Sequence, residues 1–342
     1  MVDLVRWGVL GAAGIAKIAL IPAIHAAANA RLVAVASRNP AQAERDLAGL
    51  DVPRVAPSYE ALIEDPAIDA VYIPLPNHMH AEWAMRAADA GKAVLVEKPI
   101  GLNEAEARQV LEHCAARKVP VMEGFMYRFH PQHARVLRLV AEGAIGEVRE
   151  VRAHLSVDLM SGGDTGNVRF NPAWGGGTLL DMGCYTTEIA RMIFGREPVS
   201  VRAWWDLDPV LGIDLTTAAI LDFGEGRIGT VSSSFKANAQ GRYEVVGTEG
   251  TIEVPRGIIP GLTTRVSETI IVAMDADGRR REETLPAVDH YRLMIEAFSD
   301  AIASGAPAPR TPAQSLGNMR VLDAIGRAAR EGGPVTIAPD LA

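Results

Sequence analysis

The chain has only two cysteines in 342 residues, Cys114 and Cys184, far apart in sequence. That excludes a disulfide scaffold and a zinc site built on clustered thiolates. Positive charge is also in deficit: 34 Lys and Arg stand against 42 Asp and Glu, for a formal charge of −8. Phosphate backbones and anionic membranes attract basic surfaces, so neither nucleic acid nor a membrane surface is expected as the main partner. A local basic pocket can still take a small anion. No apolar run reaches the roughly 20 residues that a membrane span needs. Residues 8–30 are rich in Ala, Gly and Ile and superficially resemble a secretion signal, but Asp3 stands where a positive stretch belongs, and Pro22, His25 and Asn29 interrupt the run. A cytoplasmic location is expected. Internal repeats, low-complexity stretches and long linkers are also missing.

What is present is ordinary globular material: 48% apolar and 22% charged residues. At about 150 residues per domain, the length suggests two domains. Apolar β-branched runs predict strands over residues 5–10, 32–37, 55–56, 70–75, 93–97 and 119–123. Helical patterns lie between them at 14–28, 40–47, 59–64, 80–90 and 104–117. Alternation at this spacing means βαβ units, hence a doubly wound parallel sheet of the Rossmann type. After Phe125 the texture changes to a helix at 131–142, a strand at 148–157, a Gly-rich loop and a helix at 177–194. Strands then follow from 199 to 285, one of them at 267–274, before two closing helices at 291–303 and 312–330. Short turns between consecutive strands imply an open, mostly antiparallel sheet. The expected fold class is therefore α/β: a cofactor domain over residues 1–125, then an α+β substrate and oligomerisation domain over 126–342.

Several strand ends carry candidate chemistry. The first βα turn reads Gly11-Ala12-Ala13-Gly14-Ile15-Ala16. It approximates the G-x-G-x-x-G/A dinucleotide fingerprint, in which backbone N–H groups at a helix N-terminus hold a pyrophosphate. Ala13 replaces the middle glycine, with Gly14 one place later; a structural glycine turn gives a similar pattern. The second strand ends in Ser37 and Arg38, where an NAD enzyme usually has a carboxylate for the ribose 2′-OH. A hydroxyl and a guanidinium suit a 2′-phosphate instead, so NADP is expected, with NAD bound more weakly. The fourth strand ends Leu75-Pro76-Asn77-His78-Met79-His80, and Asn77 is also a candidate helix cap. His78 and His80 lack a third ligand nearby in sequence, so no metal is expected. The fifth strand ends Glu97-Lys98-Pro99, putting an ammonium at the ligand-facing edge of the sheet. Further on, Trp174 precedes three glycines and a helix in which Asp181 and Tyr185, at i and i+4, share one face with Glu188. The glycines permit close approach by another backbone or a ligand. Cys184 reads as core.

This set of motifs, in order and across essentially the whole chain, resembles the Gfo/Idh/MocA oxidoreductases. Glu97-Lys98-Pro99 and the Asp181-x-x-x-Tyr185 helix are its most specific parts. Arg128, in a Tyr-Arg-Phe-His-Pro context, and Tyr rather than His at 185 resemble the NADP-dependent aldose (D-xylose) 1-dehydrogenases and dihydrodiol dehydrogenases of that family. The resemblance implies that Tyr185 is the general acid/base, that Lys98 acts beside it, and that Asp181 holds sugar hydroxyls. It implies that Asn77, His80 and Arg128 lie near the cofactor, with Leu75, Pro76 and Glu97 in the same crevice, and that Trp174 packs on it. It also implies that the helix at 312–330 packs back on the first domain. The open second sheet is expected to mediate a homodimer or homotetramer. The rival readings are a keto- or anhydro-sugar reductase, an NAD-dependent glycosidase, and a non-catalytic sugar or NADP sensor; Lys98 and Tyr185, both intact, argue against the sensor.

Overall fold

In the N-terminal part, strands β1 (Val5–Leu10), β2 (Ala30–Ala36), β3 (Val55–Ala56), β4 (Ala70–Ile73), β5 (Ala93–Val96) and β6 (Val121–Glu123) are short and apolar. The computed structural model describes residues 4–163, 165–260 and 268–338. β4 and β5 are buried at every position, as a strand covered on both faces must be. All pairings are parallel, in the order β3-β2-β1-β4-β5-β6. The order reverses between β1 and β4, and the carboxyl ends of the strands beside such a switch point border a ligand crevice. Between the strands lie α1 (Ile21–Ala26), α2 (Pro40–Asp46), α3 (Tyr59–Ile63), α4 (His80–Asp89) and α5 (Glu104–Arg117). The Asn39, Ser58 and Asn103 side chains start three of these by accepting N–H bonds from Gln42, Ala61 and Glu106.

After α6 (Pro131–Ala141), the strands β7 (Val148–Ser156), β8 (Ser200–Leu207), β9 (Asp214–Asp222), β10 (Ile228–Ser234), β11 (Gln240–Gly247), β12 (Gly250–Val254), β13 (Thr269–Asp275), β14 (Arg280–Leu285) and β15 (Val335–Thr336) form a second sheet. Its order is β14-β13-β12-β11-β7-β10-β9-β8-β15. The pairings are antiparallel except β7 with β10. Ser267, the predicted start of the strand at 267–274, lies outside the described residues. Helix α7 (Cys184–Phe194) covers one face of the sheet. Alternation along β8 follows from that: Val201 and Ala203 are buried, while Arg202 and Trp204 are exposed. The two-residue edge strand β15 is too short to carry a periodic signal, and the sequence reading missed it.

Two helices close the chain, α8 (His290–Ser304) and α9 (Pro312–Glu331). In place of the single cut expected after residue 125, contacts divide the chain into Met1–Phe129 with Asp289–Leu316, and His130–Val288 with Gly317–Ala342. α8 joins the parallel-sheet unit for identifiable reasons. Trp7 Nε1 donates to Ser299 Oγ at 3.1 Å, Asn29 Nδ2 donates to Asp300 Oδ1 at 2.6 Å, and the Trp7 and Phe298 rings lie 6.1 Å apart. The same division places the first turn of α9 in that unit and the chain from Gly317 onward in the second. Asn318, from the next turn, donates to the Cys184 carbonyl of the second unit at 3.1 Å. Among the described residues, no helix is long and apolar enough to cross a membrane.

Candidate active site

β1 runs directly into Gly11, whose φ of +118° only glycine adopts readily. Its N–H donates to the Ala36 carbonyl at 2.7 Å, which ties the turn to the end of β2. A Cβ at Gly11 would stand 3.2 Å from Leu75 Cδ2, so the turn also lies against the end of β4. Ala12, Ala13 and Ile15 are partly exposed, and a Cβ at Gly14 would meet nothing within 4 Å. Open space at Gly14 accommodates the shift of the second glycine by one place. The helix begins at residue 14 and passes through a π turn, Ala16–Leu20, into α1, with Ala16 fully buried. The sequence predicted one continuous α-helix here; wide turns of this kind recur at functional sites. The residue that precedes the helix, Ala13, has no side-chain oxygen with which to cap the first turn. The first N–H groups are thus suited to an anionic oxygen, and the turn fits a dinucleotide pyrophosphate.

At the end of β2, Ser37 is half-buried and accepts from the Asn39 N–H at 3.3 Å, while Arg38 is exposed. Arg38 has two aromatic neighbours. Burial pushes the Tyr59 phenol up, against the Arg38 charge and hydrogen bonds from the Arg38 backbone and side chain. Burial and the same guanidinium hold the His78 imidazole below its usual value. No carboxylate occupies the strand end.

Beyond Leu75 and Pro76, a 3-10 turn (Asn77–Met79) precedes α4. Asn77 was expected as the helix cap, but α4 has no side-chain cap, and the His80 N–H donates to the Asn77 carbonyl instead. His80 was expected beside the cofactor. It is 0% exposed, and its ring nitrogens lie 2.7 Å from the Pro99 and Leu75 carbonyl oxygens. It offers no ring nitrogen to a ligand and instead braces the ends of β4 and β5 against each other. Glu97 and Lys98 are half-buried; Tyr72 Oη donates to Glu97 Oε1 at 2.7 Å, and the Lys98 N–H reaches Glu97 Oε2 at 3.3 Å. The Lys98–Pro99 peptide is cis. Arg128 is half-buried in the 3-10 turn Met126–Phe129 after β6.

The second unit builds its own cluster around the start of one helix. Trp174 ends a 3-10 turn, Pro172–Trp174, and is 38% exposed. Two of the three glycines that follow make room for the chain itself. A Cβ at Gly176 would stand 2.6 Å from the Arg169 carbonyl oxygen, and one at Gly177 would collide with the Asp214 carboxylate. Asp214 Oδ2 accepts from the Leu179 N–H at 2.8 Å and from Thr217 Oγ1 at 2.7 Å. It caps a π turn, Leu179–Gly183, that leads into α7. Burial pushes the Asp214 carboxyl up to about 6 despite these hydrogen bonds. The predicted continuous helix at 177–194 is therefore π and then α, and the Asp181–Tyr185 spacing spans the junction. Tyr185 is 6% and Glu188 2% exposed. Asp181 Oδ2 accepts from Arg169 Nε at 2.7 Å. Cys184 is fully buried, as expected of a core residue.

The predicted residues thus fall into two groups, the strand ends of the parallel sheet and the start of the second unit's helix. Sequence reasoning missed Tyr59, Tyr72 and Glu123 in the first unit, and Arg169 and Asp214 in the second. None of these sits in a recognisable local motif; only distant contacts single them out.

Residues 5–125 match the oxidoreductase family with an NAD-binding Rossmann fold, and residues 133–253 match the GFO/IDH/MocA C-terminal domain. An uncharacterized oxidoreductase of Rhizobium meliloti is 40% identical over 341 residues, covering 98% of this chain and 100% of that protein. D-xylose 1-dehydrogenase (NADP(+)) 2 of Haloferax volcanii is 36% identical, covering 97% of this chain and 99% of that protein. The crystal structure of a 3-ketoreductase from Actinomadura kijaniata, in complex with NADP and TDP-benzene, is similar with a TM-score of 0.88 at 30% identity, covering 95% of this chain and 98% of that one. With both its parallel and its antiparallel sheet accounted for in this way, the chain belongs to the Gfo/Idh/MocA family of oxidoreductases.

Proposed function

We propose that the protein is an NADP-dependent sugar dehydrogenase of the aldose 1-dehydrogenase type, with a D-xylose- or D-glucose-like substrate. The observation that carries this reading is the end of β2, where Ser37 and exposed Arg38 stand in place of the carboxylate that NAD enzymes use. Likeness to the Haloferax D-xylose 1-dehydrogenase supports the substrate class. Bound NADP supplies the hydride acceptor at its nicotinamide ring. The backbone N–H groups of residues 12–16 would hold its pyrophosphate, and Leu75, Pro76, Asn77, Glu97 and Arg128 would line the same crevice, with Trp174 packing on the ring. Tyr185 takes the proton of the substrate hydroxyl as its carbon becomes a carbonyl, and gives it back in reduction. Lys98 supplies a positive charge that favours the phenolate. Asp181, an acceptor only when ionised, orients sugar hydroxyls, and Arg169 orients Asp181.

Arg38→Ala is expected to weaken NADP binding by roughly 10- to 150-fold, the loss of a charge-assisted phosphate contact of about 1.5–3 kcal/mol, and to leave NAD binding nearly unchanged. Fluorescence titration with both cofactors checks this; equal losses would remove the NADP assignment. A second reading, reduction of a keto-sugar by the same residues, is favoured by the likeness to the Actinomadura 3-ketoreductase. Aldoses and polyols with NADP⁺ and NAD⁺, and keto-sugars with NADPH, followed at the reduced-nicotinamide absorbance, decide between the two. Turnover of neither class would overturn both.

We also assign self-association to the face of the second sheet opposite α7, where Trp204 is 60%, Ile220 41% and Ile228 40% exposed. Exposed apolar residues clustered on one face mark interaction sites, and a two-fold axis makes such a face self-complementary. Trp204→Glu is expected to reduce the mass measured by light scattering to that of a monomer. A monomeric unmodified protein would remove this assignment.

A further inference from the structure

Lys98 sits in a loop in which one peptide group, that between Pro99 and Ile100, is held at both its carbonyl and its N–H by buried polar side chains. On one side, the Pro99 carbonyl oxygen lies 2.7 Å from His80 Nδ1. On the other, the Ile100 N–H donates to Glu123 Oε1 at 2.9 Å. Glu123 ends β6 and is 1% exposed. Its other oxygen, Oε2, accepts from Arg310 Nη2 at 3.2 Å and Nε at 3.3 Å. Arg310 is itself fixed. It is 2% exposed, its Nε reaches Ser315 Oγ at 3.2 Å, and its guanidinium lies 4.3 Å above the centre of the Phe125 ring. The segment just before α9 therefore reaches the loop of Lys98 through a single carboxylate, although Arg310 and Glu123 are 187 residues apart.

A buried ion pair is a poor source of stability, because desolvation offsets most of the attraction, and apolar residues of similar volume often do better. What an apolar pair could not do is accept the Ile100 N–H. We propose that the Glu123–Arg310 pair is a positioning device for Lys98: Arg310 aims the carboxylate, the carboxylate fixes the Ile100 amide, and the fixed loop sets the direction in which the Lys98 side chain leaves it. This rests on the reading above that Lys98 serves the reaction.

The test uses the full chain and two readouts, one of them independent of activity. In Glu123→Gln, an amide nitrogen faces the guanidinium, donor against donor; the side chain must turn, and the Ile100 bond is lost. Hydrogen exchange at the Ile100 amide, without cofactor, is expected to speed up about tenfold, as befits a loss of roughly 1.4 kcal/mol of protection. With cofactor and substrate, kcat is expected to fall about 10- to 100-fold, the scale of a misplacement near 1 Å, with the NADP Kd changed less than about threefold. The pH profile of kcat should move to higher pH, because the proton-transfer group loses a well-placed cation. Arg310→Met should act alike, and Arg310→Lys, which keeps the charge without the fork, should lose less. If Arg310→Met does not fold, Glu123→Gln and Arg310→Lys carry the comparison. A lower melting temperature with unchanged kcat, unchanged pH profile and a protected Ile100 amide would make the pair purely structural and overturn the proposal. Lys98→Met separates the two levels: full activity there overturns both the role of Lys98 and the device, whereas an inactive Lys98→Met beside an unaffected Glu123→Gln overturns the device alone.

Discussion

Replacing Tyr185 by Phe is expected to lower turnover by about 10²- to 10⁴-fold while NADP still binds, because positioned general acid–base groups typically contribute that much. The substitution removes one oxygen from a side chain that is 6% exposed and keeps the ring, so packing around α7 changes little. A phenol near its ordinary value of about 10 is a poor base at neutral pH. If Lys98 serves the proposed proton transfer, Lys98→Met is expected to do similar damage and to move the remaining activity to higher pH, since a cation favours a phenolate. Asp181→Asn should raise KM more than it lowers kcat, because the amide keeps one acceptor while the ion pair with Arg169, 2.7 Å long, is lost. Steady-state kinetics against pH, with NADP affinity measured separately, checks all three. If Tyr185→Phe lowers the melting temperature and leaves kcat intact, Tyr185 is structural and the proposed proton transfer fails.

Acid is expected to destabilise the parallel-sheet unit much more than the antiparallel one. His80 in the first unit is pushed down to about 4 by burial, against the pull of the Pro99 and Leu75 carbonyls and with a further push from the charges of Lys98 and His78. The unfolded chain protonates near 6.5, so this group's contribution is fully present above pH 6.5. It is lost as pH falls toward 4, by about 2.5 units or roughly 3 kcal/mol. His130, in the second unit, is also pushed down to about 4 by burial and loses a similar amount over the same window. Asp214 opposes it there. Its carboxyl, pushed up to about 6 by burial, takes its proton before the unfolded chain does, so stability is gained as pH falls from 6 toward 4. That gain of about 2 units, or roughly 3 kcal/mol, offsets most of the His130 loss. His78 in the first unit and His154 in the second are both held low by burial and add a loss to each side. Amide exchange in β4 and β5 against β9 and β10, between pH 6.5 and 4.5 and corrected for intrinsic rates, measures the difference. His80→Asn should flatten the dependence of the first unit by one proton, and Asp214→Asn should steepen that of the second. Equal acid losses in both units would contradict this assignment of charges.

The architecture was legible in the sequence wherever the signal was local. Apolar runs set the buried parallel strands, alternation set the antiparallel ones, and the turn after β1 required glycine at position 11 because its backbone enters a region closed to other residues. Positions at strand ends could be singled out for the same reason, since a doubly wound sheet presents one edge to ligands. Local pattern could not show that α8 returns to the first unit, because the Trp7–Ser299 bond joins residues 292 apart. Nor could it show that Asp214 caps a helix 35 residues earlier, or that His80 is walled in by two carbonyls and not open to a ligand. The π turns before α1 and α7 escaped it too, because apolar spacing is nearly the same for the two kinds of turn. Burial of a polar group demands a partner, but periodicity carries no record of which distant residue supplies it. That choice is made only when the chain closes on itself, and it decided which of these polar side chains are taken up by the protein's own backbone.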